Sequence, residues 1–266
     1  MSVLESFWRH RELVAQLALR DVLGRYRGSI LGLLWSFFYP LFMLAIYTFV
    51  FGFIFRARGG GAGAAGGTAE FASFMFAGLI VYGLFSEVVN RAPGVILLNV
   101  NYVKKVVFPL EVLPLIITSS ALFHLVISMS VLLVFVFAIH LHLPYTVIFL
   151  PLILAPLVLV TLGIAWFLAS LGVYVRDVSQ TVGILTSALL FLSPIFYPAS
   201  ALPDAVRTYL YLNPLAFMIE QTRQVLIRGQ MPNWSGWVFY SAVSVVIAAA
   251  GFYWFQKTRR GFADVL

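Results

Sequence analysis

The side chains able to do chemistry are few in this chain and far apart. A membrane-embedded glycosyl- or acyltransferase needs a base or a carboxylate pair facing a cavity. His140 and His142 stand next to Pro144 with no acidic neighbour, which fits a structural role at an interface. His124 is alone inside an apolar run, where a hydrogen bond to a neighbouring helix is the expected use. Glu87 and Glu111 sit at opposite ends of a polar stretch and form no pair in sequence. Cysteine is absent, so thiolate nucleophiles and disulfides are excluded, and no metal-ligand spacing occurs. None of the three lysines, Lys104, Lys105 and Lys257, follows a glycine, so there is no G-x-x-x-x-G-K-[ST] loop to cradle a nucleotide phosphate. No cofactor is expected on this chain, and any ATP-derived energy has to come from elsewhere.

The elements that hold these residues are set by composition. Of 266 residues, 62% are hydrophobic and 10% are charged, with mean hydropathy +0.98. A soluble domain carries about 25% charged residues, so the bilayer is the solvent expected here. The net charge of +7 lies at the ends of apolar runs and not on one soluble face, which excludes a nucleic-acid partner and matches membrane topology. The fold class expected is an all-α integral membrane protein, one transmembrane domain over 1–266 with six transmembrane helices. The spans fall at about 30–55, 71–89, 112–139, 147–175, 182–197 and 237–255. Gly59–Gly67 reads as a flexible Gly/Ala loop.

Residues 1–29 read as an interfacial amphipathic helix. Val3, Leu4, Phe7, Val14, Ala18 and Val22 share one side of a helical wheel, while Glu5, Arg9, Glu12, Gln16 and Arg20 lie mostly opposite. Arg11 interrupts the apolar side and has to snorkel. No charged side chain occurs between Arg27 and Arg56, so Arg20, Arg25 and Arg27 mark the water boundary, where guanidinium groups can hold phospholipid phosphates. Six spans put both termini on one side. Twelve of the 17 lysines and arginines fall on that side and five on the other, which makes the termini cytoplasmic.

Several blocks carry a family resemblance. Arg20-Asp21 followed by Arg25-Tyr26-Arg27-Gly28-Ser29-x-Leu31-Gly32-x-x-Trp35 is similar to the opening of polysaccharide-exporting ABC transporter permeases. So are Asn101-Tyr102-Val103-Lys104-Lys105-Val106-Val107-Phe108-Pro109-Leu110-Glu111-Val112-Leu113-Pro114, Tyr174-Val175-Arg176-Asp177, Ser193-Pro194-Ile195-Phe196-Tyr197 and Leu212-Asn213-Pro214-Leu215. The Gly261-Phe262-Ala263 tail also fits. The blocks run through nearly the whole chain in the family's order. The resemblance implies a membrane subunit that exports O-antigen, capsular polysaccharide or teichoic acid. Its partners would be a second copy of itself and two copies of a cytoplasmic P-loop ATPase carrying the ATP and Mg.

A permease driven by a soluble motor needs a rigid lever on the cytoplasmic side. The segment Val95–Val107, within the loop 90–111, suits that task, and the resemblance makes it the helix that docks on the ATPase. Asn101, Tyr102, Lys104 and Lys105 would carry the contact, with Arg176 and Asp177 as a second candidate. The plainer alternatives are that the lysines obey only the positive-inside rule, and that Arg176 and Asp177 satisfy each other. A long lipid-linked polymer, for its part, slides best over aromatic faces, which stack on sugar C–H surfaces without a fixed register. Trp35, Tyr39 and Tyr47, with Phe191, Phe196 and Tyr197, are candidates for such a path, the alternative being ordinary interfacial anchors. Residues 198–236 read as an outer re-entrant gate of two short helices. Two other readings stay open at this point: an efflux permease for a smaller amphiphile, and a membrane-embedded transferase.

Overall fold

The structure, a computed structural model, describes residues 3–50, 67–104, 108–197, 210 and 213–266. Among them every regular element is helical: α1 (Val3–Tyr26), α2 (Trp35–Phe49), α3 (Thr68–Arg91), α4 (Val100–Lys104), α5 (Val112–His140), α6 (Leu150–Tyr174), α7 (Val178–Leu192), α8 (Pro214–Leu226), α9 (Trp234–Thr258) and α10 (Phe262–Val265). Among the described residues five segments are long and apolar enough to cross a membrane, namely Gly32–Phe49, Ala69–Gly94, Val112–His140, Tyr145–Tyr174 and Trp234–Val265. The all-α membrane expectation holds.

The differences from the expected spans have local causes. The first helical span begins at Trp35, after a 3-10 turn at Gly32–Leu34. Gly28 at φ 86° and Gly32 at φ 51° turn the chain out of α1, a backbone shape that a Cβ disfavours. The end of that span at 51–55 and the loop residues 59–66 lie outside the described residues. The segment expected to cross at 182–197 is helical at Val178–Leu192 instead. Pro194 sets that end, because the residue before a proline is driven out of the helical region. Ser193 accordingly sits at φ −84° and ψ 148°. Fifteen residues rise about 22 Å, less than the roughly 30 Å of a hydrocarbon core. Of the outer segment, α8 and residues 227–236 are described; 198–209, 211 and 212 are not.

α3 is the centre of the bundle, with α2, α5, α6, α7 and α8 all packed against it. Its Ala72, Met75, Ala77, Val81 and Val88 are completely buried. α6 and α9 form the closest helix pair. An added Cβ on Gly163 would stand 2.7 Å from the Ala248 Cα and from the Ile247 carbonyl oxygen, and one on Gly251 would strike the Gly163 backbone. Small residues at a membrane helix crossing allow this approach, and packing there replaces the hydrophobic drive that lipid cannot supply.

α1 lies along α5. Val14, Ala18 and Val22, spaced four apart on the expected apolar side, are buried. That stripe is covered by protein and not left for lipid, because α5 offers an apolar face at the same height. Arg11 is exposed. Leu19 and Leu23 point away from the bundle.

Candidate functional site

α2, α3 and α5, with the last turn of α1, enclose a cavity of about 650 Å³. Its walls are aromatic: Trp35, Tyr39 and Tyr47 from α2, and Phe76 and Tyr82 from α3. The spacing 35, 39, 43 and 47 puts Trp35, Tyr39, Met43 and Tyr47 on one face of α2, and all four line the cavity. The other three aromatic candidates do not join them. Phe191 is exposed at the end of α7, its ring 5.9 Å from that of Phe196, and the Tyr197 hydroxyl donates to the Phe191 carbonyl at 3.1 Å. From α7 it is Leu190 that reaches the cavity.

One end of the cavity is polar. Glu87 accepts from Arg25 at 2.5 Å and stands 3.1 Å from His124 Nδ1, with Arg91 at 3.7 Å. His124 Nε2 lies 3.1 Å from the Tyr26 hydroxyl. The two ring nitrogens thus bridge the Glu87 carboxylate and the Tyr26 hydroxyl, and Arg25 Nη1 lies 3.3 Å from Nδ1. Burial pushes the Tyr26 hydroxyl above its ordinary pKa, which keeps that proton available. The order of residues along the chain does not bring these groups together. Glu87 and Arg91 are an i,i+4 pair legible in sequence, but Arg25 is 62 residues from Glu87 and His124 is 37 residues from it. The hydrogen bond expected of His124 is made, and its partners are the carboxylate and hydroxyl of two different helices. Glu87 is held by Arg25, His124 and Arg91, so this carboxylate is not a free base of the kind a transferase uses.

Of the arginines expected at lipid headgroups, Arg25 is turned to Glu87, and Arg20 donates to the Tyr102 hydroxyl at 3.1 Å. Arg20 and Arg27 also flank a shallow hollow along α1, floored by Gln16, Leu19, Leu23 and Gly24. The adjacent Asp21 accepts two hydrogen bonds from Arg91, at 2.7 and 2.8 Å. Burial works to raise the Asp21 carboxyl, but Arg91 outweighs it and holds the group below the ordinary carboxylate range. Asp21 and Glu87 together fasten α1 to α3. An Asp21→Asn variant should therefore loosen α1, by about 1 kcal/mol for a partly exposed pair, and limited proteolysis between α1 and α2 should quicken several-fold. Acid should mimic it. The contribution is complete above the ordinary carboxylate value of about 3.9 and fades as pH falls through the lower folded value.

The expected docking residues lie together with this framework. In α4, Asn101 and Lys104 are exposed, and Tyr102 is half-buried with its ring stacked on Phe108 at 4.4 Å and 13°. Lys105 lies outside the described residues. Arg176 and Asp177 are exposed between α6 and α7, and no ion pair joins them. Asp177 instead precedes α7, its carbonyl accepting from Gln180 and Thr181.

Arg223, counted by sequence as an outer-side positive charge, is completely buried. Its guanidinium donates to the carbonyls of Phe74, Pro194 and Ile195 and covers the Phe74 ring at 3.4 Å. Asn213, the N-cap of α8, donates to Ser193 Oγ at 2.8 Å. Carbonyls of the backbone unwound at Pro194 are thus satisfied by α8. Only the Ser-Pro pair and the Asn-Pro cap signal hinted at this arrangement in the sequence.

Residues 12–227 match the ABC-2 type transporter family. Curated relatives cover the chain nearly end to end. An O-antigen export system permease protein, RfbA, of Myxococcus xanthus is 28% identical over 264 residues, 98% of each chain. A protein of the same name from Klebsiella pneumoniae is 25% identical over 96% of this chain and 95% of its own. The polysialic acid transport protein KpsM of Escherichia coli is 28% identical over 81% of both. These relatives are transport proteins, not enzymes. With its membrane-length helices, its aromatic cavity and the match over residues 12–227, the chain belongs to the ABC-2 type transporter family.

Proposed function

We propose that this permease exports a lipid-linked polysaccharide, of the O-antigen, capsule or teichoic-acid type, across the cytoplasmic membrane. It acts as a homodimer bound to two copies of a cytoplasmic P-loop ATPase, which carry the ATP and Mg. Both termini face the cytoplasm, α7 with the unwound residues 193–197 completes a sixth crossing, and residues 198–236 form the outer gate. α4 and the Arg176–Asp177 turn meet the ATPase, and the exposed arginines of α1 meet lipid headgroups.

The observation that carries this reading is the row Trp35, Tyr39 and Tyr47 on one cavity wall, in a chain that aligns along 98% of its length with an O-antigen export permease. Aromatic faces with a few hydroxyls and one neutralised polar end suit a sliding sugar chain, which sticks to unpaired charge. Deleting the gene should leave lipid-linked polymer inside the cell and none on its surface. Unchanged surface polymer would remove the reading. Complementation with a Trp35→Ala/Tyr39→Ala variant should restore insertion of the permease but only about a tenth of the surface polymer, since each aromatic platform is worth roughly 0.5–1.5 kcal/mol beyond its area. An equal loss of folded protein and of polymer would assign the two rings to anchoring.

A further inference from the structure

The last residues of the chain are packed far more tightly than a solvated basic tail requires. Glu111, at the start of α5, has a side chain that is 4% exposed, and Arg259 donates to it at 2.8 Å from 148 residues away. A carboxylate so buried needs a cation partner, and α9 supplies it just beyond its last turn. The Thr258 carbonyl accepts from the Tyr174 hydroxyl at 2.8 Å. Phe262 is completely buried and makes edge contacts with Phe255, centroids 5.6 Å apart, and with Tyr174 at 6.0 Å. α10 then packs against both α4 and α6. A positive-inside tail accounts for the charge of Arg259 and Arg260. It does not account for a fully buried Phe262.

The same few residues therefore touch α4 and hold Tyr174, two residues before the Arg176–Asp177 turn. Arg259 and α10 reach the 100–111 segment, and Tyr174 leads directly into Arg176 and Asp177. We infer that Arg259–Leu266 is a positioning clamp, which makes α4 and the Arg176–Asp177 turn one rigid unit with the ends of α6 and α9. A displacement delivered at either segment then moves the tight α6–α9 pair as a body. The inference rests on the reading of α4 as the docking segment.

The test uses the full permease with its partner ATPase in membranes, reading polymer exported per ATP hydrolysed and amide exchange across 100–104. A Phe262→Ala variant should speed that exchange about tenfold, as local opening becomes easier, and lower export per ATP about fivefold, while Phe262→Leu stays close to wild type. Should Phe262→Ala not accumulate, Arg259→Gln removes only the ion pair and is expected to shift both readouts in the same direction. Unchanged exchange across 100–104 in a folded variant overturns the clamp. So does faster exchange with unchanged export per ATP. A Lys104→Glu/Lys105→Glu variant separates the two ideas. If it alone uncouples, the clamp falls and the docking reading stands; if it leaves coupling intact, the docking reading falls with everything built on it.

Discussion

Reversing the charge of Lys104 and Lys105 together should leave the permease folded and inserted while cutting ATP-driven export at least about tenfold. Lys104 is exposed on α4, beside a Tyr102 that is held by Phe108 and by Arg20, so the helix that presents it is fixed from two sides. A charge placed on a supported helix acts on whatever docks there and does little to the fold beneath. On the proposed docking, reversal sets two carboxylates against acidic groups of the ATPase, and like charges across an interface cost several kcal/mol. Tenfold corresponds to about 1.4 kcal/mol, so the effect is a lower bound. The measurement is export and ATP hydrolysis in the same vesicles. Hydrolysis that continues without export is the expected signature. Export per ATP equal to that of the parent would show that the lysines serve topology alone.

A Gly251→Leu variant should yield no folded permease at all. The contact at this crossing is backbone on backbone: a Cβ on Gly251 would lie 2.7 Å from the Gly163 carbonyl carbon and 3.0 Å from its Cα. A flexible side chain can rotate away, but a helix backbone cannot, so α6 and α9 have to separate. That loses the packing that holds them together in lipid. Overpacking inside a close-packed protein costs about 1–3 kcal/mol where neighbours can adjust, and more here. The check is the yield of monodisperse protein after mild solubilisation. Gly183→Ala in α7 is the control, because nothing lies within 4 Å of its added Cβ and alanine favours the helix by up to about 1 kcal/mol. Normal yield from Gly251→Leu would mean that this crossing is not the anchor of the bundle.

The two predictions probe different levels of the molecule, and the sequence bore unequally on them. Lys104 stands out in the sequence as a docking candidate because it sits in a short polar segment between long apolar runs. Gly163 and Gly251 were not, since a glycine in an apolar helix reads alike whether it faces lipid or another backbone. The same holds for the cavity. Trp35, Tyr39 and Tyr47 share a face by helical arithmetic alone, but that the face is roofed by α3 and α5 is a matter of packing. Phe191, Phe196 and Tyr197 passed the same compositional test, but from α7 it is Leu190 that reaches this cavity.

Membrane class, the positions of most apolar helices and the amphipathic stripe of α1 were determined by the sequence itself. Each rests on local physics: how many apolar residues occur in a row, where proline and glycine interrupt them, and which side of a helix a residue occupies. Tertiary structure alone decided which charges met. Arg25 with Glu87 and His124, Arg91 with Asp21, Arg259 with Glu111, and Arg223 with three carbonyls join positions up to 149 residues apart. A charge in a chain is only a tendency to face water or a counter-charge. In a bilayer the water option is removed, and the partner it then takes depends on which helix the packing brings alongside.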